Sequence, residues 1–166
     1  MIRLVTQIHV DDLKGKEITD FFASCNDEAY QQWWPGTHIQ MHPVKGRGNE
    51  IGALIYMDEF VGKRRVRLTG ELTDLIPGKR FVWQPRSYIP LPVRLIIEFG
   101  DDQAGVQITH VIEAGYKGIG RMFDPLLRLW FSREFAADMD EHVRTEFPRL
   151  SDLLHSDRWM PHIMLR

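Results

Sequence analysis

The sequence has a single cysteine, Cys25, so no internal disulfide can form. It also lacks an excess of one charge: 21 lysines and arginines stand against 23 aspartates and glutamates, for a formal net charge of −2. A nearly neutral chain offers no general attraction to nucleic acid or to anionic lipid. We therefore expect neither nucleic acid nor a charged membrane surface as the partner.

Long apolar runs are missing as well. No segment approaches the roughly 20 consecutive apolar residues that a transmembrane helix requires, and residues 1–12 are too polar for a signal peptide. These absences predict a cytoplasmic protein without membrane insertion. With 166 residues, 43% of them hydrophobic, the chain is long enough for one domain over residues 1–166 with a buried core.

What the sequence does contain is a block of strand-like segments followed by a long helical stretch. Alternating apolar residues predict a first strand over residues 2–10. Two short helices follow, the first capped by Asp11 or Asp12 and the second running from Asn26 to about Trp33. Turn residues separate the further strands, which are predicted around residues 39–41, 53–61, 64–75, 81–84, 93–99 and 106–113.

The hairpin around Gly62-Lys63 tests two of these strands for consistency. A two-residue turn there places Met57 opposite Leu68 on one face. On the other face Asp58 then lies opposite Arg67. One face is therefore apolar and the other charged, as expected for a sheet with one side on the core.

The last hairpin is predicted to turn at residues 100–102. This turn places Ile97 opposite Ile108 and Leu95 opposite His110, and again collects the apolar residues on one face. Together the hairpins predict an inner face made of Ile55, Met57, Val66, Leu68, Leu72, Phe81, Trp83, Leu95, Ile97, Ile108 and His110.

The stretch from Asp124 to Leu154 is predicted to be one long helix, because Asp124 can cap it and Pro125 suits its first turn. Pro148 removes a backbone donor, so a kink is expected at residues 144–148. An apolar stripe indicates that one side of the helix lies on the sheet: Leu126, Leu127, Trp130, Phe131, Phe135, Met139, Val143, Phe147 and Leu150.

Several segments, in this order, resemble bacterial members of the SRPBCC superfamily, which are START-like or polyketide cyclase-like proteins. They are Tyr30-Gln-Gln-Trp33-Trp34-Pro35-Gly36, Asp58-Glu-Phe-Val-Gly62-Lys-Arg-Arg, Leu75-Ile-Pro77-Gly78-Lys-Arg-Phe-Val-Trp83, and Asp124-Pro125 leading to Asp140-Glu141-His142-Val143 and Phe147-Pro-Arg-Leu150. The resemblance covers nearly the whole chain to Leu154.

This resemblance implies a helix-grip fold of the α+β class. In that fold a curved antiparallel sheet wraps around a long C-terminal helix, and two short helices follow the first strand. The superfamily includes lipid and hormone carriers, aromatase/cyclases, quinone-binding proteins and chaperone activators. Membership therefore implies a cavity and leaves the chemistry open, and it carries over no catalytic residue.

A strongly bent sheet and one helix cannot bring all their side chains into contact, so we expect a void between them. Such voids favour apolar ligands. We predict a small hydrophobic or aromatic partner molecule that is lipid, polyketide-like or quinone-like. The candidate ligand-binding residues are Trp33, Trp34, Met57, Leu68, Trp83, Leu95, Ile97, Ile108, His110, Met122, Leu127, Trp130 and Phe131.

Two polar residues share the predicted inner face. Burial would lower the pKa of His110 and leave a neutral imidazole, which is either an ordinary core histidine or a group that binds a carbonyl or acts as a general base. Glu59 has the parity of Met57 but lies next to the turn. We expect Glu59 to be exposed to solvent.

The metal signatures are weak in the sequence. His38 and His42 would lie about 13 Å apart along a strand, too far to share one ion. Asp138 and His142 are neighbours on the helix, but two ligands make no site, and a surface ion pair is expected. The sequence therefore predicts no metal and no cofactor.

Three functions remain open at this point. The first is binding of the hydrophobic molecule, and the second is a cyclase or dehydratase in the same cavity, with His110 in acid/base chemistry. The third is a chaperone-activator-like interaction module that uses the outer sheet face or the tail, residues 155–166. The protein is expected to be a monomer or a homodimer. The tail carries apolar residues expected to dock on the body: Trp159, Met160, Ile163 and Met164.

Overall fold

The computed structural model describes residues 1–87, 91–116 and 118–156, apart from the side chains of residues 119, 121, 123 and 126. Its elements are β1 (Ile2–Asp11), α1 (Gly15–Ser24), α2 (Asp27–Trp33), β2 (His38–Lys45), β3 (Leu54–Val61), β4 (Arg64–Ile76), β5 (Arg80–Arg86), β6 (Val93–Asp101), β7 (Gly105–Ala114), a 3₁₀ segment (Gly118–Phe123), α3 (Asp124–Trp130) and α4 (Arg133–Leu154).

The seven strands form one antiparallel sheet in the order β1-β7-β6-β5-β4-β3-β2. Helix α4 lies across the sheet and contacts β1 and β3, while α2 packs on β2. The predicted strands are all present, with small differences at their ends. The α+β helix-grip fold is confirmed, because the curved sheet, the C-terminal helix and the two short helices after β1 are all there.

The β3–β4 hairpin has the predicted register. Met57 pairs with Leu68 and Asp58 pairs with Arg67. Gly62 turns the chain with a φ of +58°, a backbone conformation that glycine adopts without strain. On the outer face Asp58 accepts two hydrogen bonds of 2.8 Å from the guanidinium of Arg65, which holds the pKa of Asp58 below its usual value.

The predicted register of the last hairpin is wrong by two residues. Ile97 pairs with His110 rather than with Ile108, because β6 continues through the residues predicted as the turn. The chain turns after Asp102, whose carboxylate accepts a 2.8 Å hydrogen bond from the backbone N–H of Ala104. A shift of two residues preserves the alternation of a strand, so the predicted inner face of β6 and β7 is kept.

The C-terminal helix is divided where the sequence predicts continuity. Ser132 separates α3 from α4, and its hydroxyl caps α4 by accepting a 3.2 Å hydrogen bond from the backbone N–H of Phe135. Helix α4 runs through Pro148 without interruption. The carbonyl that loses its donor belongs to Arg144, which is exposed like Pro148, so solvent can satisfy it.

The two short helices close one end of the sheet. Helix α1 is capped at Lys14 rather than at Asp11 or Asp12, because the backbone N–H of Lys14 donates to Glu17 at 2.9 Å. Helix α2 begins as predicted, with the Asn26 side chain accepting a 2.9 Å hydrogen bond from the backbone of the third residue that follows.

Some expectations fall outside the described residues. These are the docking of the tail through Trp159, Met160, Ile163 and Met164, and the side chain of Leu126. Among the helices that the structure does describe, none combines the length and the apolar character needed to span a bilayer.

Gly105, the first residue of β7, provides a test of how closely β7 approaches β1. A Cβ at Gly105 would clash with the backbone oxygen of Val10 on β1, whereas a Cβ at Gly100 would meet no atom within 4 Å. We expect Gly105→Ala to lower the free energy of unfolding by about 1–3 kcal/mol, because the two backbones must move apart.

Gly100→Ala is the matched control on the neighbouring strand, and its effect should stay within about 0.5 kcal/mol. Chemical denaturation of both variants measures the difference. Equal stability of the two would show that β1 and β7 do not approach each other as described.

Candidate functional site

A cavity of about 900 Å³ lies between the concave side of the sheet and the C-terminal helices. Strands β3 to β7 supply one wall, and α3 and α4 supply the other. The wall residues are mainly aromatic and aliphatic, and include Phe22, Met57, Leu68, Phe81, Trp83, Leu95, Ile97, Leu127, Trp130, Phe131, Phe135, Met139 and Phe147.

Most of the candidate ligand-binding residues lie on this cavity. The structure brings together Trp33, Met57, Leu68, Trp83, Leu95, Ile97, His110, Leu127, Trp130 and Phe131. They come from strands, from α2, from α3 and from the residue that follows α3, so only the folded protein makes them neighbours. Their role in binding stays a prediction.

Three candidates are placed elsewhere. Trp34 lies beside the ring of His142, at 4.9 Å between centroids, and under the guanidinium of Arg149. Ile108 is fully buried in the core, because the shifted hairpin register pairs it with a residue closer to the turn. Met122 is 69% exposed on the 3₁₀ segment.

His110 lies on the cavity wall and is 6% exposed. Burial lowers the pKa of its imidazole to about 3, and the positive charge of His142 acts in the same direction. The ring is therefore neutral at physiological pH, able to donate one hydrogen bond and accept another.

One end of the cavity is polar. We use the name buried polar cluster for Tyr30, His38, Glu59, His142 and Glu146, all of which are less than 9% exposed. Tyr30, Glu59, His142 and Glu146 also line the cavity, whereas His38 does not. Apolar walls thus lead to a group of titratable side chains at the inner end.

Four elements assemble the buried polar cluster. His38, the first residue of β2, pairs with Glu59 on β3. His142 and Glu146 lie one turn apart on α4 and so share one helix face. Tyr30 reaches the cluster from α2. Strand pairing and helix spacing therefore set most of its geometry.

The two histidines face the two carboxylates at similar distances. His38 Nε2 lies 3.8 Å from Glu59 Oε2 and 3.8 Å from Glu146 Oε2. His142 Nε2 lies 3.7 Å from Glu59 Oε2 and 3.5 Å from Glu146 Oε2. These distances are longer than the roughly 2.7–3.2 Å of a hydrogen bond. Within the described part of the chain, both ring nitrogens of His38 and Nε2 of His142 have no hydrogen-bond partner.

The Glu59 carboxylate and the Glu146 backbone, in contrast, accept hydrogen bonds from α2. The Tyr30 hydroxyl donates to Glu59 Oε2. The indole N–H of Trp33 donates to the backbone oxygen of Glu146 at 2.6 Å. The ring of Tyr30 also stacks on that of His38, with 4.1 Å between centroids and 5° between planes.

Burial and mutual charge determine the protonation of the cluster. Burial raises the pKa of Glu59. Burial alone would lower the pKa of His142, but the carboxylates of Glu146 and Glu59 raise it to about 9. Burial and the charge of His142 lower the pKa of His38 to about 3. In the protein alone, one imidazolium thus lies between two buried acidic groups.

Two expectations about this region are wrong. Glu59 is 7% exposed rather than solvent-exposed, because α4 packs against β3 and places His142 beside it. His142 is 5% exposed and faces Glu59 and Glu146 rather than forming a surface ion pair with Asp138. The only sequence signal for the buried polar cluster is the spacing of four residues from His142 to Glu146, which places both on one helix face. The pairing of His38 with Glu59 cannot be predicted from the sequence, because the register between β2 and β3 is irregular there.

Comparisons with known proteins show which solved structures share this fold. No family model and no curated protein matches the chain. Solved structures do, including the Aha1 dimer from Colwellia psychrerythraea, at 15% identity and a TM-score of 0.61 over 96% of this chain and 100% of that one. The chain therefore shares the helix-grip fold of these structures.

Other helix-grip structures are similar over most of their length. Major latex-like protein 151 from Panax ginseng is 11% identical, with a TM-score of 0.54 over 85% of this chain and 96% of that one. A Staphylococcus aureus protein of unknown function is 10% identical, with a TM-score of 0.56 over 91% and 93%. At these identities the likeness shows the fold alone.

The neutral state of His110 can be measured directly. We expect its imidazole ¹⁵N chemical shifts to stay at their neutral values between pH 5 and pH 8, because the pKa of about 3 lies below this window. An unperturbed histidine would titrate near pH 6.5. Assigned NMR spectra across the pH range provide the test, with His110→Gln identifying the signals. A midpoint near 6.5 would show that water reaches this ring.

Proposed function

We propose that this helix-grip domain binds a small hydrophobic or aromatic molecule in the cavity between the sheet and α4. The observation that carries the proposal is the cavity itself, about 900 Å³ in volume with largely apolar walls. This volume is within the range of about 300–1,000 Å³ typical of small-molecule sites. A soluble domain gains stability by filling such space with side chains, so an open cavity of this size favours a guest.

The wall chemistry supports an aromatic or polycyclic guest. Trp83 and Phe81 from the sheet and Phe131 and Trp130 from the helical side offer broad ring surfaces. Met57 adds an adaptable side chain to the same wall. Lipid, polyketide-like and quinone-like molecules all fit this description.

Polar groups are a minority of the wall, so they favour a guest that is mainly apolar and carries a polar end. The neutral ring of His110 can hydrogen-bond to a carbonyl or hydroxyl oxygen. The buried polar cluster offers further donors and acceptors at the inner end. A guest with an apolar body and an oxygen at one end complements both regions.

The two other functions have weaker support. A cyclase or dehydratase reaction is supported by the neutral His110 on the cavity wall, the property that a general base needs. A chaperone-activator role has no specific observation in its favour, because the similarity to the Aha1 dimer is a similarity of fold.

Filling the cavity tests the proposed binding. Leu68 lies on the wall and points into the space, so Leu68→Trp should occupy part of it. We expect this variant to lose most of the fluorescence enhancement of an apolar dye such as anilinonaphthalene sulfonate. Native mass spectrometry of the wild type should also show a copurified small molecule, which the variant lacks.

Val5→Trp is the matched control, because it adds the same side chain at a strand position that is 43% exposed. It should bind the dye as the wild type does. Circular dichroism must show that both variants are folded. Dye binding that is equal in folded Leu68→Trp and in the control would contradict the proposed site.

A further inference from the structure

The buried polar cluster has a geometry that hydrogen bonding does not explain. Nε2 of His38 and Nε2 of His142 each face two carboxylate oxygens, Oε2 of Glu59 and Oε2 of Glu146. The four N···O separations lie between 3.5 and 3.8 Å. The ligand atoms of His38, His142 and Glu146 all lie within 4.8 Å of one another.

We propose that His38, Glu59, His142 and Glu146 bind a divalent transition-metal ion of the zinc class at the inner end of the cavity. Zinc holds nitrogen and oxygen ligands at about 2.0–2.2 Å, which places the corners of a tetrahedron about 3.3–3.6 Å apart. The four histidine–carboxylate separations lie within about 0.2 Å of that range. Glu59 does not belong to the group of atoms that lie within 4.8 Å of one another, so its carboxylate must move toward that of Glu146 to complete the tetrahedron.

The orphaned ring nitrogens support this assignment. Both Nε2 atoms are buried and lack a hydrogen-bond partner within the described part of the chain. A buried polar atom without a partner is destabilising, and proteins keep few of them. A metal ion between the rings would satisfy both Nε2 atoms at once.

A metal-free ionic cluster is the competing explanation. Such a cluster would be stabilised by short charge-assisted hydrogen bonds of about 2.7–2.9 Å between imidazolium and carboxylate. None of the four histidine–glutamate contacts is that short. Each histidine instead stays 3.5–3.8 Å from both carboxylates.

The groups around the ligands are those that a metal site uses to orient them. Tyr30 donates to the oxygen of Glu59 that faces the histidines. In known metal sites, hydrogen bonds to a ligating carboxylate fix its orientation.

The donor set selects the class of ion. Two imidazoles and two carboxylates in a buried, four-ligand arrangement suit zinc and related transition metals. Calcium and magnesium prefer sites built from oxygen ligands alone. Zinc also accepts a fifth ligand, and Glu59, His142 and Glu146 line the cavity, so an oxygen of the proposed guest is the natural further ligand.

Metal analysis of the full chain tests the site without any guest. Wild-type protein purified without chelators should contain about one equivalent of zinc, iron or manganese, measured by plasma mass spectrometry. Removal of the ion should lower the midpoint of thermal unfolding by several degrees, and added Zn²⁺ should restore it. Because no guest is involved, a failure here is distinguishable from a failure of dye binding.

Two pairs of variants locate the ion. His142→Gln and Glu146→Gln should each reduce bound metal to below about 0.2 equivalents and abolish stabilisation by Zn²⁺. Their controls are His42→Gln, from a half-buried ion pair between His42 on β2 and Asp27 on α2, and Glu141→Gln, from the exposed side of α4. Both controls should retain the metal.

The proposal is overturned if the folded wild type has less than about 0.1 equivalents of metal and Zn²⁺, Mn²⁺ and Fe²⁺ all leave its unfolding unchanged. Equal metal content in the ligand variants and the controls would also overturn it. If a ligand variant fails to fold, removal and return of the ion in the wild type still decides the question.

Tyr30→Phe gives a finer test, since it removes the hydroxyl that holds Glu59 but keeps the ring that stacks on His38. We expect metal affinity to fall about 10- to 100-fold, as for other groups that orient a metal ligand. Competition with a chelating zinc indicator measures the change. Unchanged affinity in Tyr30→Phe, with metal lost in His142→Gln, would remove Glu59 from the ligand set.

Discussion

The antiparallel pairing of β3 with its two neighbours is the constraint on which the rest of the structure depends. On one side it places Met57 beside Leu68 and so builds part of the apolar wall. On the other side it places Glu59 beside His38. A one-residue slip would turn both sets of side chains to the opposite face. The cavity wall and the polar cluster therefore depend on the same backbone hydrogen bonds.

Helix α4 completes the candidate site by packing over the sheet. Its turn-to-turn spacing presents His142 and Glu146 on one face, and the packing of α4 against β3 brings that face onto Glu59. The neighbouring apolar residues Phe135 and Phe147 keep the helix on the sheet. Packing of apolar side chains thus positions polar groups that would not assemble by themselves, since burying them is unfavourable.

The buried polar cluster is consequently unfavourable for folding, whereas the apolar residues around it favour folding. Aspartates, glutamates and histidines are rarely buried without close partners, and a cluster of them opposes folding. Local conflicts of this kind are typical of functional sites, where stability is given up for binding or chemistry. The position of the cluster, at the inner end of an apolar cavity, joins both parts into one candidate site.

Local sequence patterns determined the elements and most of the cavity wall. The alternation of apolar residues and the glycine turn at Gly62 were sufficient for the strands, the β3–β4 register and the inward face, because these depend on neighbours in sequence. Tertiary structure alone decided the rest. The meeting of His38 on β2 with His142 on α4 depends on contacts between segments that are distant in sequence. Their energies come from packing and burial, which a local pattern does not contain.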